Sequence, residues 1–123
     1  MQWLTLLRWV VRASGVLALA LGLIFWSGGG YALLGLHQTL GYIVSLALLI
    51  MALIAFPLRV SPVLLIVAIL WSFVVPGVGS AQLRLLPGDQ HWSIQVFHLL
   101  LGVGAIGLAE VIAGRAGRLG ARS

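Results

Sequence analysis

Four apolar stretches, each about as long as a bilayer is thick, follow one another along this chain with only short breaks between them. They cover approximately residues 9–26, 34–56, 61–78 and 92–113. A hydrocarbon core of ~30 Å takes ~20 helical residues to cross, and a helix satisfies its own backbone hydrogen bonds, as lipid requires. Short breaks make consecutive helices antiparallel. The sequence therefore predicts an all-α fold, an antiparallel four-helix transmembrane bundle.

The breaks carry residues that interrupt helices. Ser27 and three glycines follow the first stretch, and Pro57 closes the second. The pair Pro76-Gly77 and the segment 86–89 (Leu-Pro-Gly-Asp) frame the third break. Because proline and glycine are the strongest local breakers of regular structure, we expect the helices to end at these positions.

The composition supports a membrane protein and excludes several kinds of site. Apolar residues make up 62% of the 123 residues and charged residues only 7%, against ~25% charged residues in soluble domains. This length leaves no room for a separate soluble lobe, so residues 1–123 are expected to form a single transmembrane domain. The chain contains no cysteine, which excludes disulfides, thiolate metal ligands and cysteine nucleophiles.

The basic side chains are all arginines, and they are unevenly distributed about the predicted spans. Six of the seven flank span ends that share one side of the membrane, and only Arg84 lies on the other. The positive-inside rule then places both termini in the cytoplasm, in a multi-pass protein of the bacterial inner membrane. Nucleic-acid binding would need the arginines on one solvated face, so we expect no nucleic-acid partner. A signal peptide is the alternative for the first span, disfavoured by its length and bulky end at residues 24–26.

Two histidines occur in matching settings inside the predicted spans. An ionisable residue is expensive within a membrane and is by default a candidate for a functional site. His37 in the second span and His98 in the fourth each precede a glycine by four residues, at Gly41 and Gly102. Residues i and i+4 share one helix face, so each imidazole is expected to have a flat notch beside it. A porphyrin held edge-on between helices needs such a notch.

The two histidines are also expected to lie at similar depth, because the second and fourth spans run in the same direction. His37 lies 19 residues before Phe56, and His98 lies 16 residues before Gly114. These separations correspond to about 28 Å and about 24 Å at ~1.5 Å per residue. Two imidazoles at one level across a bundle can ligate a single haem iron from opposite faces. His37 and His98 are therefore the candidate metal ligands.

Two residues of the outer side are candidates for the same site. His91 precedes His98 by seven residues, hence lies on nearly the same helix face but ~10 Å closer to the surface. There it would suit a haem propionate, a quinone head group or plain solvent. Arg84, in the outer loop, would either pair with haem propionates or cap the bundle in solvent.

Other polar and aromatic residues have structural explanations as well. A histidine near a span end can form a hydrogen bond with a loop carbonyl instead of binding a ligand. Glu110, near the inner end of the fourth span, is expected to form an ion pair with Arg12, Arg59 or Arg115, or else to take up protons. Trp71 falls near mid-span and is expected to be a packing residue.

The placement of His37 and His98, each followed by its glycine, resembles the four-helix module of membrane-bound b-type cytochromes. It is particularly similar to one half of haem A synthase. The resemblance covers roughly residues 8–114 in topology, and it implies a haem held by these two histidines. The chain lacks the second four-helix half, and its first outer loop is too short for that enzyme's catalytic glutamate. The resemblance thus implies haem ligation without haem-modifying chemistry, and we assign no catalytic residue.

The leading hypothesis is a membrane protein that binds haem b through two axial histidines and transfers electrons, with a quinone or another redox subunit as partner. Without cysteine, the thioether attachment of c-type haem is excluded. The alternative is a structural or accessory subunit of a larger membrane complex with no cofactor of its own. A small multidrug-type transporter is disfavoured because the first span has no acidic residue, and an enzyme because no catalytic set is present. The sequence leaves open whether the protein forms a homo-oligomer.

Overall fold

The computed structural model describes residues 2–122, which form four long helices joined by short turns. The helices are α1, Gln2–Trp26; α2, Leu34–Ala55; α3, Pro62–Ala81; and α4, His91–Gly120. Within residues 2–122 there is no strand. Each helix is long and apolar enough to cross a membrane. The prediction of an all-α, antiparallel four-helix transmembrane bundle is confirmed.

The first and last helices are longer than the apolar stretches that predicted them. α1 begins at Gln2 instead of near residue 9, and α4 continues to Gly120 instead of ending near residue 113. The apolar pattern marks the segment suited to hydrocarbon, whereas helical hydrogen bonding continues into the flanking polar residues. Arg115 and Arg118 therefore lie on α4 itself.

The expectation that the third helix ends near Pro76 is wrong, since α3 continues to Ala81 with Pro76 in its interior. Proline removes one backbone N–H and frees the carbonyl four residues earlier, which is that of Ser72. Membrane helices tolerate this loss because neighbouring helices and local adjustments satisfy the freed group. As a consequence Gly79 belongs to a helix and faces the interior of the bundle at a fixed position.

The helices form a four-cornered bundle in which each packs against the next and α4 packs against α1. α2 and α4 also contact each other across the diagonal. We call the end formed by residues 2–8, 56–61 and 115–122 the arginine end. The opposite end, formed by the turns at residues 27–33 and 82–90, is the histidine end.

The core is densest toward the arginine end. Small side chains let membrane helices approach closely, and α2 and α4 together bury six alanines: Ala47, Ala52, Ala55, Ala105, Ala109 and Ala116. No residue between positions 22 and 43, or between 76 and 93, is buried. The bundle is thus tightly packed at the arginine end and more open at the histidine end.

Trp71 is a packing residue between α3 and α4, as predicted. Its half-buried indole donates a hydrogen bond of 2.8 Å from Nε1 to the backbone oxygen of Leu101. Gly104 makes room for the ring, because a Cβ atom there would lie 2.6 Å from Cζ2 of Trp71. The aromatic residues near the helix ends are exposed, as in an aromatic belt: Trp3, Trp9, Trp26, Tyr31, Tyr42 and Trp92.

Candidate functional site

His37 of α2 and His98 of α4 meet in the interior of the bundle near the histidine end. Their ring centres are 6.2 Å apart and their planes are inclined by 66°. The helices that carry them are diagonal neighbours, so the two imidazoles approach each other across the bundle. This contact agrees with the prediction of similar depth, which came from counting residues to the span ends.

The backbone of α1 holds the His37 ring. Nδ1 of His37 lies 2.8 Å from the carbonyl oxygen of Ala18. A carbonyl only accepts hydrogen bonds, so Nδ1 carries the proton and donates it, and Nε2 retains its lone pair. The ring of Phe25 packs edge-on against the imidazole, with centres 5.4 Å apart. His37 therefore has a fixed tautomer with one nitrogen available for a ligand.

His98 is held differently, by packing against α3. Its Nδ1 is buried and has no hydrogen-bond partner among the described residues. The tip of the ring lies against Gly79, where a Cβ atom would be 2.9 Å from Cε1 and 3.4 Å from Nε2. A buried polar atom without a partner is rare in folded proteins and needs an explanation. His98 thus combines a close fit to its neighbours with an unsatisfied ring nitrogen.

The glycines nearest the imidazoles are on α1 and α3. A Cβ atom on Gly22 would lie 3.5 Å from Cε1 of His37, which parallels Gly79 beside His98. The notch at Gly41 is open, with nothing within 4 Å of an added Cβ atom, whereas the notch at Gly102 is filled by Leu19, 3.3 Å away. The glycines that lie against the two imidazoles are therefore on α1 and α3, and the glycines predicted on α2 and α4 contact neither ring.

Sequence reasoning missed Ala18, Gly22 and Gly79. Gly22 recurs seven residues after Gly15, a pattern that predicts only a close helix contact, and Gly15 indeed packs against Ile106 of α4. Gly79 was hidden by the expectation of a helix end at the preceding proline. Ala18 contacts His37 through its backbone oxygen. Every residue has such an oxygen, so the sequence does not indicate which one will be used.

The distance between the two ring centres can be compared with that of two imidazoles bound to one metal ion. With a metal–nitrogen bond of ~2.1 Å and ~1.1 Å from nitrogen to ring centre, two imidazoles on one metal have centres ~6.4 Å apart. The observed separation is 6.2 Å. Within residues 2–122 no group of three or more His, Cys, Asp or Glu side chains is placed to hold a metal ion. Two ligands are too few for a structural zinc site, but they match a cofactor whose metal already has equatorial ligands.

The outer candidates, His91 and Arg84, do not join this pair of rings. His91 begins α4, and its Nδ1 lies 3.2 Å from the backbone oxygen of Leu85. This contact is the hydrogen bond to a loop carbonyl that a structural histidine would form. Arg84 is exposed in the turn after α3. Both residues lie at the rim of the histidine end, outside the pair of rings.

Glu110 forms the expected ion pair, and its partner is Arg12. Nε of Arg12 donates to one carboxylate oxygen of Glu110, and Nη2 donates to the other at 2.8 Å. The guanidinium also lies over the ring of Trp9, 4.6 Å from its centre. Nε of Arg8, in the same region, is buried without a hydrogen-bond partner among the described residues. Glu110 is thus a structural link between α4 and α1 near the arginine end.

The candidate site therefore consists of two facing imidazoles, the carbonyl of Ala18, and the surrounding glycines. Its chemistry is that of two nitrogen ligands in an apolar interior at the more open end of the bundle. Comparisons with protein-family models, with curated proteins and with solved structures found no match for this chain.

Proposed function

We propose that this protein binds one b-type haem between His37 and His98 and transfers electrons in the membrane. The observation that carries the proposal is the pair of imidazoles facing each other at 6.2 Å in the bundle interior. The proposal places the chain in the bacterial inner membrane with both termini cytoplasmic, because six of seven arginines flank one end of the helices.

The hydrogen bond of the His37 ring supports metal ligation. A metal-bound histidine almost always donates its other ring N–H to a carbonyl, a carboxylate or water, which fixes the tautomer. His37 has this arrangement through Ala18. Nδ1 of His98 is buried without a partner in the described part of the chain, so this support comes from His37 alone.

The packing at this level supports a flat ligand. A flat ligand held between the diagonal helices α2 and α4 would have α1 and α3 at its edges. On those helices Gly22 and Gly79 face the histidines and carry no side chain. The absence of buried residues from 22 to 43 and from 76 to 93 leaves this end of the bundle able to adjust around a ligand.

Haem with two histidine ligands supplies a one-electron redox couple and has no open position for oxygen. In this chain His37 and His98 would hold the group, and the carbonyl of Ala18 would keep the His37 ring oriented. The apolar helices would exclude water from the ligands. Electrons would come from and pass to a membrane quinone or a neighbouring redox subunit.

An accessory subunit without a cofactor is the second candidate, and the contacts of His37 favour it as well. The hydrogen bond to Ala18 and the edge-on contact with Phe25 are contacts that a purely structural histidine also makes. The two candidates differ in one simple property, which is the colour of the purified protein.

The test is a reduced-minus-oxidised visible spectrum of the detergent-purified protein expressed with ample haem. We expect sharp low-spin b-type bands in the wild type and their loss in both His37→Ala and His98→Ala. His91→Ala is the matched control, since its ring bonds to a loop carbonyl, and it should keep the bands. A wild-type protein without haem bands would refute the proposal and leave the accessory subunit.

A further inference from the structure

A pocket of about 260 Å³ opens at the arginine end, between the α2–α3 turn and the last turns of α4. Four arginines surround it together with a serine: Arg59, Ser61, Arg115, Arg118 and Arg122. The pocket lies at the opposite end of the bundle from the histidines. It is therefore a separate site and does not depend on the function proposed above.

The local structure explains why these arginines converge. Arg115 and Arg118 are three residues apart, which puts them on one face of a helix, and α4 continues past its apolar segment to Gly120. Arg122 follows in the turn after the helix. Arg59 faces them from the turn between α2 and α3. Its backbone is left-handed, with φ of 59°, a conformation uncommon for a residue with a side chain. This turn reverses the chain in a few residues and brings Arg59 next to α4.

The positive charges of the pocket are not neutralised by carboxylates of the described chain. The whole sequence has two acidic residues. Glu110 is engaged by Arg12, and Asp89 lies in the turn at the histidine end. The described residues that line the pocket include no acid. Four guanidinium groups around one space repel each other, so the pocket favours an anion.

We propose that this pocket binds the phosphate head group of an anionic membrane lipid. Guanidinium groups bind phosphate oxygens through paired N–H donors, and the hydroxyl of Ser61 adds a further donor. Two apolar lining residues, Val60 and Leu119, suit the glycerol and upper acyl atoms that accompany a lipid phosphate. The pocket lies where the apolar part of α4 ends, at the level of the head groups.

The expected side of the membrane agrees with a lipid ligand. The arginine bias predicts that this end faces the cytoplasm, and the cytoplasmic leaflet is rich in anionic lipids that attract basic groups. Basic pockets between transmembrane helices on that side bind anionic head groups in other membrane proteins. A free phosphate ion offers the same charged oxygens but would not use the apolar lining residues.

The test measures binding of phosphatidylglycerol to the detergent-purified full chain by native mass spectrometry. Each basic residue near an anionic surface strengthens binding about fivefold, so the pair Arg115→Gln and Arg118→Gln should weaken it about 25-fold. Arg84→Gln removes one positive charge at the opposite end and should leave binding unchanged. Both pocket arginines are exposed, so the variant should elute as the wild type does in size exclusion.

Three outcomes would overturn the proposal. If phosphatidylcholine bound as tightly as phosphatidylglycerol does, the pocket would not select an anion. A loss of about fivefold in Arg84→Gln, the same loss per charge as in the pocket variant, would show that only overall charge matters. Displacement of phosphatidylglycerol by inorganic phosphate at the same concentration would assign the pocket to the free ion instead of a lipid.

Discussion

At the scale of single residues, the two facing histidines differ in how they are held. His37 has its Nδ1 proton bonded to the carbonyl of Ala18, while Nδ1 of His98 is buried without a partner in the described chain. A buried donor or acceptor without a partner costs ~1–3 kcal/mol. The buried Nδ1 of His98 therefore carries a cost that the hydrogen bond to Ala18 spares His37.

Gly79→Ala tests whether the fit of His98 against α3 matters. The new Cβ atom would lie 2.9 Å from Cε1 of His98, which is too close, so the ring has to move. Under the proposed function this change should weaken haem binding by ~10-fold or more, as other changes around metal ligands do. Haem titration of the purified apoprotein measures the affinity.

Gly77→Ala is the matched control for Gly79→Ala. It makes the same substitution two residues earlier in α3, at a position with nothing within 4 Å of an added Cβ atom. It should bind haem as the wild type does. Equal affinities for all three proteins would contradict a fit of the ligand site to Gly79.

Some contacts of the candidate site could be predicted from the sequence, and others could not. The meeting of His37 and His98 could be predicted because matching motifs occur at similar distances from the span ends. The contacts of Ala18, Gly22 and Gly79 could not be predicted, since they depend on how α1 and α3 are rotated about their axes. Apolar residues surround each of these helices almost completely, so periodicity does not fix that rotation.

At the scale of helices, the ion pair of Arg12 and Glu110 joins the first helix to the last. The two side chains meet through two hydrogen bonds although 98 residues separate them in sequence. Paired charges at the edge of an apolar segment are far less costly than a single charge left there. The pair therefore fixes how α1 and α4 lie against each other near the arginine end.

Glu110→Gln should lower the midpoint of thermal unfolding by several degrees, because Arg12 loses its counter-charge. Arg12→Gln should have a similar effect, and the double variant should lose less than the sum of the two, since residues in one ion pair are coupled. Asp89→Asn, in the exposed turn before α4, is the control and should have little effect. Additive losses in the double variant would contradict a direct link between the helices.

The helices themselves could be predicted from the apolar stretches, but their ends only in part. Segment length and composition identify all four helices. In lipid the backbone has no water to bond with, so an apolar segment must satisfy its own hydrogen bonds, as a helix does. The signal at Pro76 fails because the packed bundle compensates for the missing N–H, which a single sequence does not reveal. The extension of α4 to Gly120 was missed because hydropathy identifies the segment that lies in hydrocarbon. It does not identify the residue at which the helix ends.

At the scale of the whole molecule, the bundle has two ends with different roles. The arginine end is packed by alanines, tied by Arg12 and Glu110, and opens into a basic pocket. The histidine end has fewer buried residues and holds the two imidazoles in its interior. Stability concentrated at one end leaves the other free to accommodate a ligand, consistent with function residing in the less stable parts of a fold.

The central claim is that both histidines ligate the same iron, and the spin state of that iron tests it most directly. We predict one haem per chain and a low-spin ferric signal in electron paramagnetic resonance of the wild-type protein. His37→Ala and His98→Ala, reconstituted with haem, should each give a high-spin signal or bind no haem, because one axial ligand is gone. A wild type that binds no haem, or a low-spin signal that survives either substitution, would contradict the claim.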